Sequence, residues 1–377
     1  MVLAPMILTS RKGGNPYPFL RTGEKGVVIT RNNRPFFSPP QVCQEIWDIR
    51  INGQEKNNLL DSQVGGRSLL TAGINVNNHV WEISKPLAEA IRAIASGSVV
   101  KEHILWDGIS REFWKNTFSW VFGGGVVAKV GQKMMPIINS LLGEFFQASL
   151  APAGRWPGIL GTAEFLPISA FAYNKFSKIT SFIGLDLGGA SLKIAIVQVN
   201  NITGKVLNDF PCINLQIIER PSYIPFIWDT KPEQLLEKAN ILAKWLAETI
   251  IEEIRYASIG RIVLSPFIII GFPFKINSQG KRLAGGTYPI PLGDFSVSIN
   301  IESYIQCLLR EALCDKSLPD GINLQDYRII PCNDAVIAGA ASITEMDKSR
   351  VAYVGIGSGT GGALFINPDS RENYSIL

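Results

Sequence analysis

Histidine is almost missing from this chain. Only His79 and His103 occur among 377 residues, which excludes a histidine-rich metal site. Cysteine is sparse too. Cys43, Cys212, Cys307, Cys314 and Cys332 are scattered without C-x-x-C spacing, and read as reduced core thiols of a cytosolic protein. No long hydrophobic run exists. The longest, Ile262–Phe274, is broken by Ser265, Pro266, Gly271 and Pro273, so it is too short and interrupted to span a bilayer. The opening MVLAPMILTSRKGG has no basic region before its brief apolar stretch, so no signal peptide is expected. Neither sign of charge dominates. With 36 basic and 32 acidic residues the net charge is +4, and no basic block is dense enough to imply nucleic acid. Short-period repeats are absent.

What remains is the material of a packed α/β protein. Apolar residues make up 46% and charged residues 18%, and 377 residues suffice for two domains with full cores. Residues 1–40 are rich in Gly, Pro, Asn and Arg, with one short candidate strand at Gly26–Thr30 and otherwise loop. A helix is expected over Lys85–Ala95, capped by Ser84, with Pro86 near its start and Gly97 beyond its end. A short apolar run, Phe118–Phe122, leads into Gly123–Gly125, and Val130–Phe146 has helical spacing. Ala151–Leu166 reads as a loop leading into a helix start, and Pro167–Thr180 as a linker.

The second half is more regular. Thr230–Arg255 is the clearest helix: Thr230 and Glu233 form a T-x-x-E capping box, and a stripe from Leu235 and Leu236 through Leu246 to Ile254 is expected to be buried. Phe267–Ile270 reads as a buried strand, Ile301–Leu313 as an amphipathic helix, and Tyr327–Ile330 as a strand ending at Asn333-Asp334. Strands alternating with helices argue for α/β layers.

Four segments could carry chemistry. Phe182–Val197, FIGLDLGGASLKIAIV, is a strand, a glycine turn and a strand. A turn without side chains lets backbone N–H groups approach phosphate oxygens, and Asp186 beside it could hold Mg²⁺ through water. Lys193 adds positive charge if alternation points it there; an ordinary hairpin is the other reading. Asn333-Asp334 opens a helix, where Asp334 is placed either to accept a substrate proton or simply to cap the helix. Gly357-Ser358-Gly359-Thr360-Gly361-Gly362 lies between two strands, and its glycines and hydroxyls could wrap phosphates or form a flexible turn. Gly123-Gly124-Gly125 joins a strand to a helix, as a tight turn or as a backbone surface for a flat ring.

Together these segments resemble the ROK family of sugar kinases, in the hexokinase and actin-like ATPase superfamily. Asp186–Lys193 resembles the family's first phosphate motif, Gly271-Phe272-Pro273 with Asn277–Gly280 its G-x-P strand and turn, Asn333-Asp334-Ala335 its N-D-A segment, and Gly357–Gly362 its second phosphate motif. In the first half, Gln44–Asp48 resembles the sugar-contacting segment, Gly123–Gly125 the adenosine motif, and Ala151–Ala163 the terminal loop and helix. The family order is rotated: 1–166 resembles the C-terminal half, 167–180 a linker, 181–347 the N-terminal lobe, and 348–377 the second phosphate hairpin, packing with 1–166. The resemblance implies an α/β, two-lobed actin-like ATPase (ribonuclease H-like) fold with ATP and Mg²⁺ between the lobes. Asp334 is then the general base and Asp186 the carboxylate for the metal. Gly188, Gly189, Ser191, Lys193, Gly357, Ser358 and Gly359 hold phosphates, Gly124 and Gly125 border adenosine, and Asn333, Glu45 and Asp48 touch the sugar or polyol. No nucleic-acid or membrane partner is implied, and a homodimer is one allowed assembly.

Several residues depart from the family. Its Thr after the two glycines is Ala190, its sugar-contacting His aligns with Asp48, its cysteine-rich zinc loop has no counterpart, and the last glycine of G-x-P-G is Phe274. Two functions follow: a kinase acting on a sugar-like hydroxyl, or a decayed or regulatory nucleotide- or sugar-binding protein on the same fold. Gly26–Pro40 also duplicates the place filled by Gly362–Asn367. Tandem duplication with trimming, or the joining of two gene fragments, each produces such overlap. A compact permutant is expected to bring Met1 and Leu377 close together and to set Gly26–Thr30 beside Ala363–Ile366.

Overall fold

A computed structural model describes residues 27–31, 34–38, 66, 69, 73–96, 117–151, 156–166, 170, 177–202, 204–224, 231–273, 327–342, 350–357 and 360–366. It is a mixed α/β structure with two sheets, and it divides into two compact units. One contains the described residues of 158–337, the other those of 21–157 and 338–377. The expected helix at 301–313, the turn at 277–280, Thr230 of the capping box, and both chain ends lie outside the described residues.

The first unit holds strands β5 (Ile179–Leu187), β6 (Ser191–Asn200), β7 (Cys212–Glu219), β8 (Leu264–Phe272) and β9 (Arg328–Asn333). Their spatial order is β7-β6-β5-β8-β9. β6 runs antiparallel to β5 and β7, whereas β8 and β9 run parallel to β5. Alternation sorts the side chains of these strands. Ile183 and Leu185 of β5, Ile194 of β6, and Ile268 and Ile270 of β8 share one core with Leu242, Leu246, Ile250 and Ile254 of the long helix (α4, Leu235–Ile259). The intervening residues Gly184, Asp186, Lys193 and Gly271 therefore point to the opposite face. On that face a 3-10 turn (Gly161–Phe165) packs against β5, β6 and β8, and the four-residue helix before it (α3, Pro157–Leu160) sets Gly158 against Asp186 of β5. Residues 157–165, read from sequence as the end of the first block, thus lie on the sheet of the second.

The second unit holds β1 (Val27–Arg31), β2 (Arg34–Ser38), β3 (Ser119–Gly123), β4 (Gln147–Leu150), β10 (Arg350–Ile356) and β11 (Thr360–Ile366), in the order β1-β2-β11-β10-β3-β4. β10 and β11 form an antiparallel hairpin, β2 is antiparallel to β11, and β3 and β4 are parallel to β10. Helices α1 (Val80–Ala95) and α2 (Gly125–Leu142) pack on each other, and α2 lies against β3, β4 and β10. Apart from the extra edge strand β1, the order and orientation of strands match the first unit, with β10 and β11 in the places of β5 and β6.

Several expectations are corrected. The expected adjacency of Gly26–Thr30 and Ala363–Ile366 fails because β2, a strand not foreseen, intervenes: Phe37 pairs with Ile366. α1 begins at Val80, so Ser84 is no cap; its hydroxyl is buried and donates to the Val80 carbonyl at 2.6 Å. α2 runs from Gly125 to Leu142 rather than 130–146. Gly143, at φ 84, ends it, Phe145 is 87% exposed, and β4 follows. α4 is preceded by a 3-10 turn, Pro232–Gln234, and Leu236 is exposed rather than part of the buried stripe. β5 begins at Ile179, inside the expected linker. β7 was not foreseen, because its half-exposed pattern lacks clean alternation. No described helix is long and apolar enough to cross a membrane.

β7 carries a bulge pinned from α4. Pairing shifts between Ile194 and Ile196, and Asn214 within the bulge adopts φ 51, a conformation Asn tolerates better than most residues. The amides of Asn214 and Gln216 donate to Oε2 of Glu253 at 2.8 and 3.2 Å, and Oε1 has no partner among the described residues. Glu253 is buried, and that burial raises its pKa to about 7, against the lowering effect of the two amides. The folded protein therefore holds this proton more tightly than the unfolded chain. The stability it contributes is complete below about pH 4.5 and is lost as pH rises to about 7. Glu253→Gln is expected to raise the melting temperature at pH 8 and to change it little at pH 4.5, measured by thermal unfolding at both pH values.

Candidate active site

The first unit gathers charge at the carboxyl ends of its parallel strands. Asp186, at the end of β5, pairs across the sheet with Lys193 of β6 and with Gly271 of β8. Gly271 pairs with Cys332 of β9, and Phe272 with Asn333. One row across four strands therefore reads Lys193–Asp186–Gly271–Cys332, and the chain turns into helix α5 (Asp334–Ser342) two residues beyond that row. The Lys193 ammonium donates to Oδ2 of Asp186 at 2.5 Å, with both side chains mostly buried. The Asp186 charge raises the Lys193 pKa above its ordinary value despite the opposing effect of burial.

Asn333 and Asp334 divide the roles left open by their sequence. Asn333 is the cap: its Oδ1 accepts the Val336 N–H at 3.0 Å. Asp334 is the first helical residue, and its Oδ1 accepts the Ala335 N–H at 2.7 Å. Burial, and then the neighbouring Asp186 charge, raise its pKa to about 7, while the Ala335 N–H and Lys193 act in the other direction. A carboxylate poised near neutrality is suited to taking a proton. Gly271 lies against the start of α5: a Cβ there would stand 3.2 Å from Ile337 Cδ1 and 3.4 Å from the Asp334 Cα.

The turn between β5 and β6 is closed by its own backbone. The Gly188 N–H donates to the Ser191 carbonyl at 2.9 Å, so it is engaged within the hairpin. Gly189 is buried, Ser191 half-buried and Ala190 exposed, and the Ala190 carbonyl accepts the Arg220 N–H at 3.0 Å. This last bond ties the end of β7 to the turn.

In the second unit two glycine turns stand side by side. Gly123 pairs with Gly355 on the parallel strands β3 and β10, so the turns that follow them are neighbours. Gly124, at φ 93 and ψ 174, precedes α2 and has no side chain to cap it; a Cβ there would lie 2.5 Å from the Ile356 carbonyl oxygen. No described atom lies within 4 Å of where a Cβ of Gly125 would stand. The Gly357 carbonyl accepts the Gly66 N–H at 2.8 Å. Backbone N–H groups at such a helix start form an anion-binding surface, and no acidic residue occupies the first turn of α2. Thus the structure brings Asp186, Lys193, Asn333 and Asp334 together in one unit, and Gly124, Gly125 and Gly357 together in the other. Glu45, Asp48, Ser358 and Gly359 lie outside the described residues. Sequence reasoning passed over Gly158, whose α carbon lies against the Asp186 carboxyl group; the only signal was its place in the glycine-punctuated PAGRWPGILG.

Two carboxylates, Asp186 and Asp334, suit Mg²⁺ held largely by water and phosphate oxygens, and the Lys193 ammonium suits the phosphates rather than the metal. They do not suit an all-protein metal cage, and no group of three or more His, Cys, Asp or Glu side chains that could hold a metal occurs among the described residues.

No family model matches this chain, and no curated protein matches it. Among solved structures, one similar chain is a "putative sugar kinase" from Cytophaga hutchinsonii. It is 15% identical, with a TM-score of 0.29, over 50% of this chain and 48% of that one. The match spans about half the length of that protein, and a likeness this low says nothing about chemistry.

Gly124 holds a backbone conformation that is essentially restricted to glycine. Gly124→Ala is expected to destabilise the protein by about 1–3 kcal/mol from backbone strain alone, measured by denaturant unfolding. Gly125→Ala, which meets no described atom, should cost less than half as much.

Proposed function

We propose that this protein is a phosphotransferase of the actin-like ATPase kind, transferring the terminal phosphoryl group of ATP to a hydroxyl of a sugar or similar polyol. The observation that carries this reading is the cluster of Asp186, Lys193 and Asp334 at one edge of the sheet, where β5 and β9 end and β6 begins, beside a glycine hairpin. Ligands of open α/β sheets bind at that end of the strands. The matching strand order of the two sheets supports the ribonuclease H-like reading of each unit. The glycine turns support it further, because both lie between corresponding strands, β5 and β6 in one unit and β10 and β11 in the other. In the second unit those hairpin strands come last in the chain, while β2, β3 and β4 come first, which favours a rotated order of halves.

Phosphoryl transfer asks mainly for positioning and charge neutralisation. When bound, MgATP supplies the phosphoryl group and the metal's positive charge. Asp334 accepts the proton of the attacking hydroxyl, so that the alcohol oxygen bonds to phosphorus as ADP leaves. Asp186 would hold the metal through its water shell, and Lys193 offsets charge from both carboxylates. Asn333 keeps Asp334 in place through the helix cap and offers its amide to the acceptor, together with Glu45 and Asp48. Gly189, Ser191, Gly357, Ser358 and Gly359 would serve the phosphates, and Gly124 and Gly125 would serve the adenosine. Within this reading the chain is a cytoplasmic ROK-like enzyme of carbohydrate metabolism.

A second reading, a regulatory or decayed nucleotide-binding protein, is favoured by Ala190, which offers no hydroxyl at the turn, and by the engaged Gly188 N–H. ADP release measured across sugars, amino sugars and polyols separates the two. The enzyme reading expects acceptor-dependent ADP release that falls as pH drops below about 7, where Asp334 becomes protonated. Asp334→Asn should reduce turnover by about 10²–10⁴-fold without lowering the melting temperature at pH 8, because it removes a carboxylate whose ionisation opposes folding. Calorimetric ATP binding with no acceptor-dependent ADP release would reject it in favour of the second reading, and undiminished turnover in Asp334→Asn would reject Asp334 as the general base.

A further inference from the structure

We propose that Gly158 is a positioning residue for Asp186: its bare α carbon is the wall that keeps the Asp186 carboxylate against Lys193. The functional part of this inference rests on the phosphotransferase reading, in which Asp186 serves the metal. Three observations carry it. First, a Cβ on Gly158 would overlap Oδ2 and Cγ of Asp186 and come within 3.0 Å of Oδ1. The same Oδ2 receives the Lys193 ammonium at 2.5 Å, so an added methyl group and the ion pair compete for one side of one carboxylate.

Second, neither backbone has room to retreat. Asp186 stands between Leu185 and Leu187, both fully buried on the face covered by α4. On the other side, Ile159 is fully buried, its carbonyl accepts the Thr162 hydroxyl at 2.6 Å, and Gly161 abuts the Ile337 carbonyl so closely that a Cβ there would overlap it. Thr162 is itself wedged against Gly184, two residues before Asp186 on the same face of β5. Third, Gly158 is not among the glycines with positive φ, so alanine there meets no backbone penalty and acts through the space it fills. The element with the most freedom is the Asp186 carboxyl group, which must rotate away from Lys193.

The test is a double-mutant cycle read in two ways. Thermal unfolding is compared for the unmodified protein, Gly158→Ala, Asp186→Ala and the double variant. ATP binding is then titrated by calorimetry with and without Mg²⁺ for the same set and for Asp186→Asn, with Gly260→Ala, a remote site of ordinary contact, as control. Gly158→Ala is expected to lower the melting temperature when Asp186 is present and not when it is alanine, since the clash is then gone. It should reduce the Mg²⁺-dependent gain in ATP affinity at least tenfold and leave Mg²⁺-free ATP binding within twofold.

Equal destabilisation by Gly158→Ala with and without the Asp186 side chain would overturn the inference. So would an unchanged Mg²⁺ dependence in Gly158→Ala when Asp186→Asn abolishes it. If Gly158→Ala fails to fold, folding restored by Asp186→Ala supports the inference, and folding not restored rejects it. If Asp186→Asn itself leaves Mg²⁺ dependence untouched, the phosphotransferase role of Asp186 fails, and the unfolding cycle alone decides whether Gly158 positions that carboxylate.

Discussion

Everything in the first unit is arranged around one awkward fact: a carboxylate ends a strand that is buried along nearly its whole length. From Thr180 to Leu187, β5 has no exposed residue. An ionised aspartate in such a setting is costly unless it is paired. The antiparallel register of β5 and β6 sets Lys193 directly opposite Asp186, which supplies the pair without any long-range search. That register follows in turn from the two-glycine turn, whose own N–H to carbonyl bond closes the hairpin. The glycines therefore have a structural task as well as the proposed one. Lys193, read from sequence as a phosphate contact, meets the carboxylate first.

The same arrangement explains why the second carboxylate is held differently. Among the described residues, no ammonium lies at hydrogen-bond distance from Asp334; its Oδ1 accepts the Ala335 N–H, and it feels the Asp186 charge nearby. One lysine between two carboxylates leaves one negative charge uncompensated if both ionise. The carboxylate without a lysine partner, Asp334, is the one that carries the raised pKa. Two chemically similar side chains thus acquire different tasks from their surroundings, a recurring device in acid–base sites.

Much of this was legible in the sequence, and what was not has physical reasons. Strands β5, β6 and β8 and helix α4 are strongly patterned because each buries a full face, so burial leaves its period in the residues. β7 is an edge strand with a bulge at Asn214, and a bulge shifts the alternation on which strand recognition depends. β2 carries a proline and is only five residues long, which reads as loop when local sequence is considered alone. The end of α2 was misplaced because the apolar spacing continues to Phe145, although Gly143 had already set the stop. Of the site, Asp186, Asn333 and Asp334 were legible because they sit at strand ends beside punctuation. Gly158 was not, because its role arises from a contact between segments distant in sequence, and a glycine that makes room for someone else's side chain leaves no pattern of its own.

That last point bears on how the two sheets came to resemble each other. In each, the turn between the hairpin strands is rich in glycine, and a helix, α4 or α1, lies between the third and fourth strands of the shared arrangement. In the first unit the order of strands along the chain follows this path directly; in the second it starts partway round, with β10 and β11 supplied from the other end of the chain. A sheet is indifferent to where its chain begins, provided each strand finds its neighbours, because ladder hydrogen bonds depend on register and direction rather than on order of synthesis. Direction is conserved in every neighbouring pair here: antiparallel on the hairpin side and parallel on the other. A rotated chain order would therefore cost the second sheet none of its pairings. The constraint that survives rotation is local, namely that the residues forming each glycine turn stay between the two strands that they join, and in both units they do.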